Sequence, residues 1–394
     1  MNNIDPIVIV AAKRTPMGNL LGTLSSLTAP ELGAHAHKAV LEQVGSTHLP
    51  ASSIDEVLYG CVLQAGIGQA PARQSVLGAD IPYSVGAVTI NKMCGSGLQA
   101  IMLGHDAILA GSREIVLAGG MESMTQAPYL LKKARQGYRL GHHEIIDHMF
   151  LDGLEDAYQK GKPMGHFAEA TAKLLNFSRE QQDAFALTSL DRAIDATEKG
   201  LFASEVSPIT VKDQIIMRDE GVDPTKREKI SRLKPVFSAD GTITAANASS
   251  ISDGAASVIL MRLSEAEKRG ITPLAKIIAH GTHAQEPEWF TTAPVGAIQK
   301  VLTRAGWTKD HVDLFEINEA FAVVTMAAMK QLDIPHDKVN VHGGACVLGH
   351  PIGASGARIL VTLLYALKQR QLKRGVASLC IGGGEAVAMA IEIL

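Results

Sequence analysis

Cys94 has the sequence context of a nucleophile. It lies in the tetrapeptide Cys-Gly-Ser-Gly, between a predicted strand and a predicted helix. The positive end of a helix dipole stabilises a thiolate, so we expect the pKa of this thiol to be lowered. The flanking glycines permit a tight turn and let a substrate carbonyl approach the backbone N–H groups. This context favours a reactive cysteine over a buried cysteine that only fills a strand–helix turn.

A second glycine-rich tract contains His350, which precedes a proline and a predicted helix. The proline restricts the backbone direction, and this suits a general base that is directed at a nucleophile. An isolated histidine more often only bonds to the carbonyls of its own loop, so this alternative stays open. Cys346 in the same tract is expected to be packing, because its neighbours Val347 and Leu348 are apolar.

Two further residues at predicted strand ends carry groups that could take part in catalysis. Cys380 opens onto three consecutive glycines, so its thiol could transfer protons while the glycine N–H groups form an oxyanion hole. A core cysteine above a glycine-rich loop is the alternative reading. Asn318 begins the motif Asn-Glu-Ala-Phe, where its amide could orient a water or a carbonyl, or could cap the next helix.

The composition excludes several classes of protein. Thirty-seven basic and 40 acidic side chains give a net charge of −3, which argues against a nucleic-acid or membrane surface. The four cysteines form no C-x-x-C pair, so neither disulfides nor a metal site are predicted. Residues 66–68 lack the third glycine of a dinucleotide fingerprint, and the sequence contains no phosphate-binding loop. The apolar runs are shorter than the ~20 residues of a bilayer span, and no basic leader precedes residue 7. We therefore expect a cytoplasmic protein.

Strands and helices must position these motifs, and they alternate at both ends of the chain. Strands are predicted at residues 7–11, 57–62, 87–90, 114–117, 257–261, 314–317, 377–381 and 386–393. Helices are predicted at residues 29–44, 97–110, 178–197 and 355–368. The order of elements is similar in the two ends, which predicts two alike α/β halves. Their boundaries are residues 1–120 plus 249–270 and residues 271–394, with an inserted domain at 121–248.

The four motifs, in this order and at these separations, resemble the thiolase family, and in particular its acetyl-CoA acetyltransferases. The resemblance covers essentially the whole chain, from Ala-Lys-Arg-Thr-Pro at residues 12–16 to the terminal strand. It implies an α/β thiolase fold, in which duplicated halves form a five-layer α-β-α-β-α arrangement. It also implies that the inserted segment is a loop domain that binds coenzyme A.

The resemblance implies a role for each motif residue. Cys94 matches the acylated nucleophile, and Cys380 matches the acid/base at the substrate α-carbon. His350 would activate Cys94 and, with a water held by Asn318, would form one oxyanion hole. The N–H groups of Cys94 and Gly382 would form the other. Coenzyme A is then substrate and product, and no metal or redox cofactor is expected.

Further residues match positions that line the pantetheine tunnel of the family. They are Leu154, Met164, Phe237, Ala248, Ser249, Ala320 and Phe321. The basic residue that meets the CoA phosphates is expected to be Lys226, Arg227 or Arg232. The sequence departs from the family at three positions, since it has Pro163 before Met-Gly, Ser250 after Ala-Ser, and His342 before Gly-Gly.

The leading hypothesis is a cytoplasmic, homotetrameric acetyl-CoA C-acetyltransferase of fatty acid metabolism, reversible between two acetyl-CoA and acetoacetyl-CoA plus CoA. Residues 137–141 and 152–154 resemble the acetoacetyl-CoA members. The close alternative is a 3-ketoacyl-CoA thiolase for longer chains in fatty acid degradation. A cysteine hydrolase would leave Cys380 idle, and a decarboxylating condensing enzyme would carry a second histidine in its place. A non-catalytic scaffold would have lost Cys94, His350 or Cys380.

Overall fold

Strands and helices alternate at both ends of the chain in this computed structural model, which describes residues 5–394. Residues 1–4 of the predicted N-terminal half lie outside the described part. The strands are β1 (Ile7–Arg14), β2 (Gly18–Asn19), β3 (Glu56–Gly60), β4 (Gly86–Ile90), β5 (Ile115–Ser123), β6 (Tyr129–Leu130), β7 (Ile146–Asp147), β8 (Ile209–Val211), β9 (Gln214–Ile216), β10 (Ser252–Arg262), β11 (Ala275–Ala284), β12 (Leu314–Ile317), β13 (Arg374–Ile381) and β14 (Glu385–Ile393). The α-helices are α1 (Ala29–Val44), α2 (Pro71–Gly78), α3 (Ser96–Leu109), α4 (Met164–Leu174), α5 (Arg179–Glu198), α6 (Leu263–Lys268), α7 (Ala293–Ala305), α8 (Ala322–Leu332), α9 (Ala345–Leu348) and α10 (Ile352–Gln369). A π-helical turn spans Phe150–Leu154, and 3₁₀ turns span Ala51–Ser53, Ala134–Gln136, Leu201–Ser204, Pro224–Arg232, Pro287–Thr292, Lys309–His311 and His336–Lys338.

The two ends of the chain repeat one sheet topology. The strand order of the main sheet is β12-β13-β14-β11-β1-β10-β5-β3-β4, with β2 beside β10. In the N-terminal half β3 is parallel to β5, and antiparallel pairs follow from β5 to β10 and from β10 to β1. The C-terminal half has the same sequence of pairs in β12, β13, β14 and β11. The halves meet where β1 and β11 pair over two residues each. The predicted duplication is confirmed.

Helices cover the sheet in layers. Helices α1 and α2 pack on the outer face of the N-terminal strands, and α7 packs on the outer face of the C-terminal strands. Helices α3 and α10 contact each other between the two sets of strands. They approach so closely that a Cβ at Gly356 would lie 2.4 Å from the backbone nitrogen of Leu98. The result is the predicted five-layer α-β-α-β-α arrangement of a thiolase fold. No helix within residues 5–394 is both long and apolar enough to cross a bilayer.

Local sequence explains most element ends. Helix α1 has the predicted bounds, because Thr28 and Glu31 form a capping box at its start. Helix α10 begins three residues earlier than predicted, directly after Pro351, and it is buried nearly all round, as a central helix must be. Strand β5 continues six residues past its predicted end at 117. Its glycines pass close to other backbone, since a Cβ at Gly119 would lie 2.0 Å from the carbonyl oxygen of Ala256.

Between β5 and β10 the chain leaves the main sheet, apart from an isolated bridge between Val206 and Arg14. This segment contains two short hairpins, β6–β7 and β8–β9, and helices α4 and α5. Ser178 caps α5 as predicted, in a capping box with Gln181. Two satellite apolar clusters lie between this segment and the C-terminal half. The exact domain boundaries at 120, 248 and 270 stay a prediction.

Candidate active site

The N-terminal ends of the two central helices bring Cys94 and His350 into one region. Cys94 lies two residues before α3 and His350 lies two residues before α10. Glycines permit the close approach, because a Cβ at Gly97 would lie 2.9 Å from the nitrogen of Ala357. A Cβ at Gly120 would lie 2.0 Å from the carbonyl oxygen of Gly353. A side chain at either glycine would therefore separate the two helix ends.

A tight turn presents Cys94. Met93 has a positive φ of 47°, which is uncommon for a residue with a side chain. Hydrogen bonds hold this conformation: Ser96 Oγ donates to the Met93 carbonyl at 2.7 Å and accepts from the Lys92 N–H at 2.8 Å. The Gly95 N–H donates to the Lys92 carbonyl at 3.0 Å. The strained backbone is thus over-determined by its surroundings, as is common at functional sites.

The end of β13 lies directly against this turn. A Cβ at Gly95 would lie 2.4 Å from Cδ1 of Ile381, so a side chain at residue 95 would displace Ile381. Lys92 forms an ion pair with Glu385, on the far side of the Gly-Gly-Gly turn. The backbone N–H groups of Gly382 and of Cys94 itself favour the ionised form of the Cys94 thiol. This is the pair of N–H groups that the resemblance assigns to one oxyanion hole.

The expected lowering of the Cys94 pKa is wrong. Burial raises the pKa of the Cys94 thiol to about 11, and it outweighs the two N–H groups that favour the thiolate. The charge of buried Glu122 acts in the same direction. The helix end is evident from the local sequence, whereas burial of the thiol arises only when distant segments pack around it. Cys94 is therefore a neutral thiol at neutral pH and needs a base.

His350 is buried and has the protonation state of a base. Its Nδ1 lies 2.5 Å from Oγ of Ser355, and that hydroxyl in turn donates to the Pro351 carbonyl at 2.9 Å. Because the serine proton is used there, we assign the imidazole proton to Nδ1. Nε2 then carries the lone pair, and it is buried without a hydrogen-bond partner. Burial, with the charge of Arg358, lowers the pKa of His350 to about 3, so the ring is neutral.

Asn318 lies beside the same imidazole. Its Nδ2 is 3.4 Å from Nδ1 of His350, and its Oδ1 is 3.5 Å from an Nη of Arg358. Arg358 is fully buried and forms an ion pair with Glu316 at 3.2 Å. Helix α8 begins at Ala322 with Phe321 as its N-cap, so the helix-cap alternative for Asn318 is wrong. Its amide lies between the His350 imidazole and the Arg358 guanidinium.

Cys380 is buried near the end of β13, among the side chains of Phe321, Val324 and Phe167. Burial raises the pKa of its thiol well above the ordinary value, and a negative charge on Cys94, when that thiol is ionised, raises the pKa further. The two thiols are therefore close enough to influence each other's ionisation. Cys346, by contrast, packs against Phe185 and is an apolar filler, as expected.

A cavity of about 590 Å³ leads from the surface to this region. His350 lines it, as do six of the seven predicted tunnel residues, namely Leu154, Met164, Phe237, Ala248, Ser249 and Phe321. Ala320 does not line the cavity. It lies behind the wall, where its carbonyl accepts the Ser249 N–H at 3.0 Å and joins the loop segment to the C-terminal half. The remaining wall includes Asn19, Leu20, Met124, Phe150 and Ile352, for which the sequence contained no signal.

The three candidate phosphate-binding residues differ in position. Lys226 lines the cavity, and its Nζ donates to the Gly221 carbonyl at 2.9 Å. Arg227 forms an ion pair at 2.5 Å with Asp191 on the surface. Arg232 is exposed and does not line the cavity. Lys226 is the best placed of the three.

Family models match nearly the whole chain. "Thiolase, N-terminal domain" matches residues 7–264 and "Thiolase, C-terminal domain" matches residues 271–393. The chain belongs to the thiolase family. Acetyl-CoA acetyltransferase 2 of Arabidopsis thaliana is 48% identical over 399 residues, which cover 100% of this chain and 98% of that protein. The crystal structure of the Bacillus anthracis acetyl-CoA acetyltransferase is 39% identical, with a TM-score of 0.96 and full coverage of both chains. The crystal structure of the Acat5 thiolase of Ascaris suum in complex with coenzyme A is 42% identical, with a TM-score of 0.93. The match covers 99% of this chain and 100% of that chain.

The three departures from the thiolase pattern have structural explanations. Pro163 is the N-cap of α4 and lines the cavity just before Met164. Ser250 also lines the cavity, and its carbonyl accepts the His350 N–H at 3.0 Å. His342 is buried edge-on against Phe202, and burial lowers its pKa to about 4. Each replacement is thus accommodated outside the Cys94 turn.

Proposed function

We propose that this thiolase is an acetyl-CoA C-acetyltransferase, which joins two acetyl-CoA into acetoacetyl-CoA and CoA through an acetyl thioester on Cys94. The single observation that carries the proposal is the arrangement around that thiol. The N–H groups of Gly382 and Cys94 favour its ionised form, the Cys380 thiol is near enough to affect that ionisation, and His350, which lines the cavity, has a buried Nε2 without a partner. Acyl transfer and proton abstraction need these groups together.

In the first half-reaction, Nε2 of His350 takes the Cys94 proton while Sγ attacks the acetyl carbonyl. The N–H groups of Cys94 and Gly382 stabilise the oxyanion that forms. When the tetrahedral intermediate collapses, the C–S bond to CoA breaks and the leaving thiolate takes the proton of Cys380. This leaves an acetyl thioester on Cys94, an imidazolium at His350, a thiolate at Cys380 and free CoA.

In the second half-reaction, the Cys380 thiolate removes a proton from the methyl group of a second acetyl-CoA. The enolate oxygen accepts hydrogen bonds from the protonated Nε2 of His350 and from a water on Asn318. The enolate carbon attacks the thioester, and Cys94 leaves as a thiolate that recovers its proton from His350. Every side chain returns to its first state, so no redox or metal cofactor is required.

Short acyl chains fit this site best. Cys94 packs against an apolar cluster whose buried side chains are Val62, Leu63, Met124 and Ile352, and Met93, Met149 and Leu154 pack against the same cluster. If the acyl chain extends against this cluster, an acetyl group needs little space, whereas a longer chain would require the packed side chains to rearrange. We therefore propose that the enzyme prefers acetoacetyl-CoA to longer 3-ketoacyl-CoA thioesters as the substrate of the reverse reaction.

A thiolysis profile tests the proposal. kcat/KM is measured with 3-ketoacyl-CoA substrates of four, six and ten carbons, and we expect the four-carbon compound to be preferred. Equal or faster turnover of the ten-carbon compound would favour the alternative, a 3-ketoacyl-CoA thiolase for longer chains. Release of free acetate without any acyl acceptor would instead favour a cysteine hydrolase.

We further propose a cytoplasmic homotetramer that acts in fatty acid metabolism, without a nucleic-acid or membrane partner. Exposed apolar side chains around the β6–β7 hairpin support the assembly, since surface patches of this kind mark contacts between proteins. They are Tyr129, Leu131, Leu140 and Ile145. Light scattering after size-exclusion chromatography gives the oligomer mass, and cell fractionation gives the compartment.

A further inference from the structure

Two histidines and an aspartate from different halves of the fold meet at a point that the proposed reaction does not use. His105 and Asp106 lie in the last turn of α3, and His280 lies on β11. Nε2 of His280 is 3.1 Å from Nδ1 of His105 and 2.9 Å from Oδ1 of Asp106. The third separation, from His105 Nδ1 to Asp106 Oδ1, is 3.2 Å. Three potential ligand atoms thus form a nearly equilateral triangle.

These separations match the ligand spacing around a small divalent metal ion. Nitrogen and oxygen ligands lie about 2.0–2.2 Å from zinc, so neighbouring ligands are about 2.9 Å apart in octahedral and about 3.3 Å apart in tetrahedral geometry. All three measured separations fall between these limits. Two histidines with one carboxylate are also a common ligand set for zinc and related transition metals. We propose that His105, Asp106 and His280 bind a divalent transition metal ion, zinc in the first instance.

The backbone presents these ligands. Strand β11 contains a bulge between Ile277 and Ala279, two residues before His280, and a bulge changes the direction of the side chains that follow. His105 and His280 are largely covered, with 14% and 13% of their side chains exposed. Asp106 is 55% exposed, so an ion can enter and water can complete its coordination.

Hydrogen bonds among the three atoms alone do not satisfy all of them well. A neutral imidazole nitrogen carries either a proton or a lone pair, so one His280 proton cannot serve His105 and Asp106 equally. Arg304 opposes a cation, but its guanidinium is held at the His280 carbonyl by a 2.6 Å hydrogen bond.

A metal ion at this site would cross-link the two halves of the fold. It joins the C-terminal end of α3, whose other end follows Cys94, to a strand of the C-terminal half. From Ser96 to His105 the helix extends about 14 Å, so the ion would be remote from the reacting atoms. We therefore expect the ion to stabilise the fold and to leave the chemical step nearly unchanged.

Metal titration of tag-free protein tests this proposal. Zinc affinity is measured by competition with a chromogenic chelator, and cobalt is used as a spectroscopic probe. We expect one tight zinc ion per chain, a zinc-dependent rise in Tm, and cobalt d–d bands without the charge-transfer absorption of thiolate ligands. His280→Ala and His105→Ala should each weaken zinc binding at least ~100-fold, because even outer-shell partners contribute about 10- to 100-fold.

Two further variants keep the test decisive. Asp106→Asn changes an exposed side chain, so it should fold normally and weaken binding about tenfold even if a histidine variant fails to fold. His142→Ala removes an exposed histidine elsewhere and should leave both affinity and stoichiometry unchanged. The proposal is overturned if zinc affinity is the same in wild type, His280→Ala and Asp106→Asn. Loss of the tight ion in His142→Ala, or thiolate absorption with cobalt, would equally overturn it by moving the ion elsewhere.

Discussion

Ser355→Ala removes the hydrogen-bond partner that assigns the tautomer of His350. In the folded protein the hydroxyl of Ser355 lies 2.5 Å from Nδ1, and the residue is fully buried. Without it, the Nδ1–H loses that partner, whereas an unprotonated Nδ1 can accept from Asn318 Nδ2 at 3.4 Å, so the tautomer with its proton on Nε2 is favoured. Nε2 then no longer offers a lone pair to the Cys94 thiol, so we expect slower acetylation of Cys94.

The size of the effect follows from the cost of an unpaired buried group. Leaving such a donor unsatisfied costs about 1–3 kcal/mol, which corresponds to about a 5- to 150-fold lower rate. The rate constant for acetylation is measured in single-turnover reactions with acetyl-CoA, quenched and read by intact-mass spectrometry. KM for CoA should change little, because the hydroxyl lies away from the walls that hold the nucleotide.

Ser75→Ala is a matched control. Ser75 is also fully buried on a helix, its hydroxyl donates to a backbone carbonyl at 2.8 Å, and it lies 3.0 Å from Nε2 of the buried His37. Both variants should therefore lose similar stability in urea titrations, while only Ser355→Ala loses acetylation rate. If Ser355→Ala acetylates Cys94 at the wild-type rate, or if Ser75→Ala slows acetylation equally, Ser355 does not set the tautomer of His350.

Two more outcomes follow from the site. The pKa of His350 is lowered to about 3 and that of Cys94 is raised to about 11, so the base stays neutral and the thiol stays protonated between these values. The single-turnover acetylation rate should therefore be flat from about pH 6 to about pH 9, whereas a tenfold rise per pH unit would indicate a free thiolate as the nucleophile. Lys226→Gln should raise KM for CoA about tenfold with little change in kcat, since a phosphate contact is made equally in ground and transition states. Arg227→Gln, whose partner is Asp191, should leave KM unchanged, and the reverse result would exchange the roles of the two residues.

Local patterns predicted much of the fold and the positions of the reactive groups. Helix α1 was bounded correctly because its capping box is contained in four consecutive residues, Thr28 to Glu31. The turns at Cys94 and His350 were recognisable since glycines and a proline mark them in the sequence itself. The duplicated topology could be predicted because each half repeats its elements in the same order.

Properties that depend on packing between distant residues could not be predicted. The sequence predicts a lowered pKa for the Cys94 thiol, and this is wrong. Burial, which no local motif encodes, raises the pKa more than the helix end lowers it. Glu122 accepts the Gly353 N–H from 231 residues away, and Arg358 reaches Asn318 across 40 residues. The His105 and His280 pair is separated by 175 residues. Such contacts exist only once the two halves are assembled.

The most direct test of the central claim separates the two cysteines. Intact-mass spectrometry after mixing with acetyl-CoA reads the acetyl thioester, and acetoacetyl-CoA formation reads condensation. Cys94→Ala should show neither. Cys380→Ala should still accumulate an acetyl group on Cys94, because His350 activates the thiol and its imidazolium can protonate the leaving CoA in place of Cys380. Its condensation rate should nevertheless fall at least ~10²-fold, as is typical when a positioned acid/base is deleted. Condensation by Cys380→Ala at near the wild-type rate, or an acetyl group retained by Cys94→Ala, would contradict the two-cysteine mechanism.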